Sequence, residues 1–182
     1  MPLFCSKKGP SARPEAGFTL LGLLLSFAMC GLFALLCLPV YMKARDTATL
    51  RSTMADMHMW AEAIQDYTSD FGTPPSNPNG RLHFKKQILR DLLPYLRQVR
   101  IIDWWCNSYW IWIGPGIHEY GIATTGTDDF IIASFGERGV RENWTFDPLR
   151  PEDGLFRIRN LEDFERDIVL WNGKFLRGPA GS

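Results

Sequence analysis

An uninterrupted apolar stretch near the start of the chain constrains its fold more than any other feature. Residues 18–38 contain no charged side chain, and only Thr19 and Ser26 are polar. About 20 consecutive apolar residues are what a helix needs to cross the hydrocarbon core of a bilayer. Because every backbone amide must be satisfied within lipid, a helix is the only conformation open to such a segment. The sequence therefore predicts a transmembrane helix at 18–39, with the bulk of the chain on one side of the membrane.

A short polar leader, residues 1–17, precedes this membrane segment. It carries three basic residues and ends at Gly17, directly before Phe18. A secretory signal peptide normally has a shorter apolar run followed by a small-residue cleavage site. Here the run is long, and the residues after it form a poor site of that kind. Lipoprotein attachment is disfavoured because neither Cys30 nor Cys37 has small residues directly before it. A generic signal anchor, which needs only apolarity, is the remaining alternative.

The junction between leader and apolar run resembles the class III signal of type IV pilins and type II secretion pseudopilins. The resemblance implies that a prepilin peptidase cleaves between Gly17 and Phe18 and methylates the new N-terminal Phe18. Counted from Phe18, Gly31 and Pro39 stand where the family places its mid-helix glycine and its helix-kinking proline. The fifth mature residue is usually a glutamate that pairs with the terminal amine of a neighbouring subunit, and here it is Gly22. A carboxylate in lipid is costly unless it is paired, and because Gly22 removes this pairing, it favours a minor, tip or divergent subunit over a bulk filament subunit.

The helical pattern continues beyond Pro39. One apolar face recurs at helical spacings and consists of Leu50, Met54, Met57, Ala61, Ile64 and Phe71. We expect the helix to stop near Gly72, because residues 73–80, TPPSNPNG, are a run of helix breakers. Pro39 should bend or loosen the helix, since proline removes one backbone donor. The pattern thus predicts an amphipathic continuation of the membrane helix at 40–72.

The remaining residues, 73–182, are expected to form a globular α/β head. Helical periodicity lies in 84–99, and strand-forming residues lie at 108–113, 120–123 and 130–134. Residues 167–170 and 174–176 flank Asn172 and Gly173, a strong hairpin signal. The prediction is an α+β fold in which a long N-terminal helix packs on a small antiparallel sheet, and this plan resembles that of the pilins.

Two head segments resemble the major (G-type) pseudopilin branch. Residues 103–109, DWWCNSY, resemble its DxWGNxY element, with Cys106 in place of glycine; we call them the first head motif. Residues 134–139, SFGERG, resemble its SxGxDG loop, with Arg138 in place of aspartate; they are the second head motif. That branch binds calcium near this loop, and calcium takes six or more oxygen ligands. Because Arg138 puts a cation where an acid would be expected, we assign no metal ligands.

Composition narrows the function classes. The full chain has 20 basic and 20 acidic residues, so no basic excess points to nucleic acid as a partner. Removal of the leader would leave a net charge of −2. The three histidines lie far apart, and no HExxH, GxSxG or phosphate-cradling glycine loop is present. We therefore expect no enzyme activity and no cofactor. The basic residues just beyond the membrane segment are expected to contact lipid head groups, namely Lys43, Arg45 and Arg51.

The resemblance implies a pseudopilin subunit of a type II secretion system. Such a subunit is a single-pass protein of the bacterial inner membrane with a periplasmic C-terminal head. An inner-membrane assembly platform draws it, with other (pseudo)pilins, into a periplasmic filament that drives protein export. Two alternatives remain open: a minor type IV pilin for adhesion, motility or DNA uptake, and a non-polymerising, membrane-tethered binding module. The absence of a C-terminal cysteine pair favours secretion over a pilus.

Overall fold

The computed structural model describes residues 19–76, 79–83, 86–122 and 126–180. The chain divides into two compact units, Met1–Val40 and Tyr41–Ser182. A single helix, α1 (Leu20–Phe71), begins in the first unit and ends in the second. The second unit also contains a short helix, α2 (Gln87–Leu92), and six strands.

The ends of α1 follow from the local sequence. Thr19 precedes the helix, and its Oγ1 accepts a hydrogen bond from the Gly22 amide at 3.2 Å, as an N-cap side chain does. At the other end Gly72 has a φ of +69°, a left-handed conformation that glycine adopts without the steric cost of a Cβ. The helix expected over 18–72 is therefore confirmed to within two residues at its start and one at its end. It continues through Pro39.

The second half of α1 packs in the core of the head. The described residues of the predicted apolar face are buried except at its end, and the buried set is Leu50, Met54, Met57, Ala61 and Ile64, joined by Thr53, Trp60 and Ala63. The prediction for Phe71 was wrong, because this side chain is 61% exposed. Phe71 is the final residue of α1, and its ring packs against Tyr67 of the same helix, with ring centroids 4.5 Å apart.

The strands form one sheet in the order β1-β2-β3-β5-β6-β4. Their bounds are β1 Gly80–Arg81, β2 Trp110–Ile113, β3 Phe130–Ser134, β4 Leu155–Phe156, β5 Ile168–Trp171 and β6 Lys174–Pro179. All pairs are antiparallel except β4 with β6, which is parallel. Alternate residues of β3 point to opposite faces: Ile132 joins the cluster that contains α1, and Ile131 joins a second cluster on the other face. The α+β layout predicted from the sequence is confirmed.

The strand predictions were right where turn chemistry or a continuous apolar run marked them. The strand at 130–134 matches β3, and the Asn172–Gly173 hairpin joins β5 to β6, with φ values of +46° and +84° at the two turn residues. The strand expected at 120–123 was wrong over its described residues. A 3₁₀ helix, Gly114–Tyr120, ends there, and Gly121 turns the chain with a φ of +79°.

Candidate assembly segment and head motifs

The described part of the membrane segment is an exposed apolar helix. Within the residues that the structure describes, α1 holds one candidate membrane span, with a mean hydropathy of 2.5 over its most apolar window and no residue of that window buried. The large exposed side chains include Leu24, Leu25, Phe27, Leu32, Phe33, Leu35 and Leu36. Soluble proteins rarely expose so large a contiguous apolar surface. By length and composition the segment is suited to a single membrane crossing.

The predicted assembly positions lie partly within the described residues. Gly17 and Phe18, the predicted cleavage and methylation positions, lie outside them. A Cβ added at Gly22 would lie 3.3 Å from Thr19 Oγ1, a tight contact that a small rotation of Thr19 would relieve. At Gly31 a Cβ would meet no atom within 4 Å. The chain itself therefore imposes no steric demand for glycine at Gly31.

The first head motif is a tight turn built around the buried carboxylate of Asp103. Asp103 is 1% exposed, and its Oδ1 accepts hydrogen bonds from the Trp105 and Asn107 amides at 2.9 and 2.8 Å. Burial raises the pKa of Asp103, and these hydrogen bonds partly offset that rise. Cys106 lies inside the turn with a φ of +69°. Only glycine adopts this left-handed conformation freely. The DxWGNxY element that the first head motif resembles has glycine at this position.

The two head motifs contact each other directly. Ser134 Oγ donates to Asp103 Oδ2 at 2.7 Å, and Asn107 Nδ2 donates to the Gly136 carbonyl at 2.7 Å. Gly136 has a φ of +57°, and a Cβ there would lie 2.6 Å from the Phe164 carbonyl oxygen. A glycine is therefore required at this point of the second motif. The motif residues form one hydrogen-bonded unit that sets the conformation of the turn and the loop.

The first head motif also forms a hydrogen bond with α1 through Asp56. Trp104 Nε1 donates to Asp56 Oδ2 at 3.0 Å, and Arg100 Nε lies 3.6 Å from the same oxygen. The Arg100 guanidinium stacks over the Trp104 ring, 3.8 Å from its centroid, in the geometry of a cation–π contact. Burial raises the pKa of Asp56, and the charge of Arg100 opposes that rise. No sequence motif marked Asp56 for this role.

The residues near Arg138 do not gather into a metal centre. Arg138 lies on the exposed surface, where its Nε is 3.7 Å from Glu165 Oε2. Across the described ranges, no group of three histidine, cysteine, aspartate or glutamate side chains is placed to hold a metal ion. Arg138 therefore takes part in a surface ion pair with Glu165, which requires no metal ion.

A second buried carboxylate, Asp167, lies where no sequence motif marked it. It is 1% exposed, and its Oδ2 accepts a hydrogen bond from the Glu142 amide at 3.0 Å. The Glu142 carboxylate forms an ion pair with Arg177. Burial raises the pKa of Asp167 to about 7; the neighbouring Glu142 charge adds to the rise, while Arg177 and Arg141 oppose it. This cluster connects the loop at 141–147 to the hairpin of β5 and β6.

No family profile, curated protein or solved structure matches this chain.

Proposed function

We propose that this protein is a pseudopilin subunit of a type II secretion system, which polymerises through its N-terminal helix into a periplasmic filament. One observation carries the proposal. In α1, the first half is apolar and exposed, whereas the second half is part of the core of the head. A helix of this kind is suited to serve first as a membrane anchor and then as the contact surface of a polymer.

When the helix moves from the membrane into a filament, its apolar surface is more stable packed against other helices than exposed to water. Apolar surface costs roughly 25 cal/mol per Å² when it is moved into water, so residues 20–39 cannot leave lipid unless other apolar surface covers them. Copies of the same helix supply that cover, and between helices in lipid, close packing is favoured by small residues. A head-to-tail contact that does not close on itself produces an open helical fibre.

Processing of the N-terminus belongs to the same proposal. The Gly17–Phe18 junction supports cleavage by a prepilin peptidase and methylation of Phe18. Gly22 supports a minor, tip or divergent position in the filament, because the subunit lacks the acid that would pair with a neighbouring terminal amine. The head is then periplasmic, and the partners are other (pseudo)pilins and the assembly platform.

Native cysteines allow a direct test of polymerisation. Cys30 and Cys37 are exposed on the membrane half of α1, and because they are seven residues apart they lie on nearly the same helix face. The test is made in cells that contain the secretion machinery, with Cys106→Ser as the background and a membrane-permeant, thiol-reactive bifunctional cross-linker. Each subunit then has two reactive positions in the segment, so we expect a ladder of covalent oligomers.

Two variants in that background serve as controls. In the processed chain, which has lost Cys5 with the leader, adding Cys37→Ser leaves one thiol and should stop the ladder at dimers, and removing both membrane thiols should leave monomers. Because the reagent can also bridge Cys30 and Cys37 within one subunit, the contradicting result is that the single-thiol variant forms no dimers and the background protein forms no oligomers after complete thiol modification.

A further inference from the structure

Charge is segregated along the head half of α1. The exposed charged residues near the membrane segment are basic, namely Lys43, Arg45 and Arg51; we call them the basic band. The exposed charged residues toward the end of the helix are acidic, namely Glu62, Asp66 and Asp70; they form the acidic band. All six lie within the unit Tyr41–Ser182.

Several of these charges have no ionic partner within the part of the chain that the structure describes. Arg45 Nε lies 3.8 Å from Asp46 Oδ1, but Lys43 Nζ donates only to the main-chain carbonyl of Arg159 at 3.1 Å, and Arg51 forms no ion pair there. Glu62 and Asp66 form neither an ion pair nor a side-chain hydrogen bond there. Asp70 accepts a hydrogen bond from the Tyr95 hydroxyl at 2.7 Å. Both bands therefore keep charge available for an external partner.

The acidic band borders a surface groove. Glu62 and Asp66 form one side of it with Ala55, His58 and Met59, and Tyr95 and Arg97 form the other. The groove has a volume of about 460 Å³. That volume exceeds the size of the end of a lysine or arginine side chain, and the groove is lined by two carboxylates and one cation, Arg97.

We infer that the basic band of one copy of this chain binds the acidic band and groove of the next copy in the filament. This inference rests on the proposed function, because it requires copies stacked with their helices parallel. Arg51 and Glu62 are 11 residues apart, and Lys43 and Asp66 are 23 apart. At ~1.5 Å per residue, contact requires an axial offset between roughly 16 and 35 Å.

A bilayer surface fits these charges less well than a second copy does. Anionic lipid head groups would attract the basic band, but the acidic band, roughly 16 Å or more farther along the helix, lies beyond the range of that surface and would be left without a partner. A second copy satisfies both bands at once. Each subunit then presents its basic band to one neighbour and its acidic band to the other. Such a contact between different surfaces is heterologous, and it gives the filament a polarity.

A charge exchange between two full-length variants tests the inference. The acid-reversed variant is Glu62→Lys with Asp66→Lys, and the base-reversed variant is Lys43→Glu with Arg51→Glu. Each variant alone sets like charges against each other, so we expect at least a fivefold loss of cross-linked oligomers in membranes. In co-expression, every contact between one variant and the other has opposite charges, so alternating subunits should return the oligomers to at least half of the wild-type level. A matched control, Glu137→Lys with Glu152→Lys, makes the same charge change at exposed positions outside α1 and should leave the oligomers unchanged.

The outcomes separate this inference from the proposed function. If wild-type protein forms no oligomers at all, the filament itself is contradicted. If wild-type oligomers form, and both reversed variants form them equally well, the band contact is overturned. The same holds if only the base-reversed variant loses oligomers and co-expression gives no rescue, since that result assigns the basic band to anionic lipid. Loss of wild-type oligomers between 50 mM and 500 mM salt would support the contact without any variant, because such concentrations shorten the range of electrostatic attraction.

Discussion

The hydroxyl of Ser134 donates a hydrogen bond to Asp103 Oδ2 at 2.7 Å, and neither residue is more than 1% exposed. The bond joins the last residue of β3 to the tight turn of the first head motif, across 31 positions of sequence. Asp103 accepts two further backbone bonds on its other oxygen. A buried carboxylate that lost one of these donors would keep its desolvation cost without the compensating contact.

Ser134→Ala should therefore destabilise the head. We expect the free energy of unfolding to fall by about 1–3 kcal/mol, because Asp103 Oδ2 loses its donor in a dry site. Urea denaturation of the detergent-solubilised chain, followed by tryptophan fluorescence, measures the change. Ser69→Ala, on the exposed face of α1, is the matched control and should shift the unfolding free energy by less than about 0.5 kcal/mol. Equal effects of the two substitutions would show that the Ser134–Asp103 bond is unimportant.

Cys106→Gly should stabilise the same turn. Cys106 has a φ of +69°, and glycine relieves the steric cost of a side chain in that conformation. The expected gain in unfolding free energy is about 0.5–1 kcal/mol, after the larger entropy of glycine in the unfolded chain is deducted. Cys106→Ser keeps the Cβ and removes only the thiol, so it should give no such gain. A loss of stability with glycine would mean that the left-handed conformation is not adopted at this position.

Asp167 should make the stability of the head depend on pH near neutrality. Its pKa is raised from 3.8 to about 7, chiefly by burial, so the folded state holds a proton that the unfolded state releases. The stabilising effect of that proton is complete below about pH 4 and is lost as the pH rises through 7. Between pH 5 and 8 the free energy of unfolding should fall by an amount of the order of a few kcal/mol.

Asp167→Asn isolates this effect, because the amide oxygen can still accept the bond from the Glu142 amide. We expect a flatter stability profile over pH 5–8 in the variant. Asp128→Asn, at an exposed position, should retain the slope of the wild-type protein. An unchanged slope in Asp167→Asn would rule out a proton held by Asp167.

Gly22→Glu should increase incorporation into the filament if the missing carboxylate limits assembly. The new acid would pair with the methylated terminal amine of a neighbouring subunit, and the nearest obstacle to its Cβ is the adjustable Thr19 hydroxyl. Cross-linked oligomers in membranes are the readout, with Gly22→Gln as the uncharged control. If the glutamate and glutamine variants give the same oligomers as wild type, the charge at this position is dispensable.

Local sequence signals were enough for much of the fold. The bounds of α1 follow from continuous helical periodicity and from Gly72, and the hairpin follows from Asn172 and Gly173. The apolar run at 130–134 was visible as β3 because all five of its residues are buried. The strand prediction at 120–123 was wrong because Tyr120 and Ile122 have strand propensity, whereas Gly121 reverses the chain between them. Propensity is a weak guide where a turn residue interrupts the run.

The contacts between distant residues could not be predicted in the same way. The sequence offered both head motifs in order, but nothing in it showed that Ser134 reaches Asp103. The Asp167 cluster had no local signal, since its partners come from a loop and from β6. Burial of a carboxylate is a tertiary property, and a single aspartate next to a strand is more often a surface residue.

The central claim is that the N-terminal helix begins at a processed Phe18 and serves both as membrane anchor and as polymer contact. Intact-mass and N-terminal peptide mass spectrometry of the natively expressed, membrane-extracted protein tests it most directly. We predict a chain that begins at Phe18 and carries one additional methyl group on its terminal amine. A chain that retains residues 1–17 in cells with an active prepilin peptidase would contradict the account.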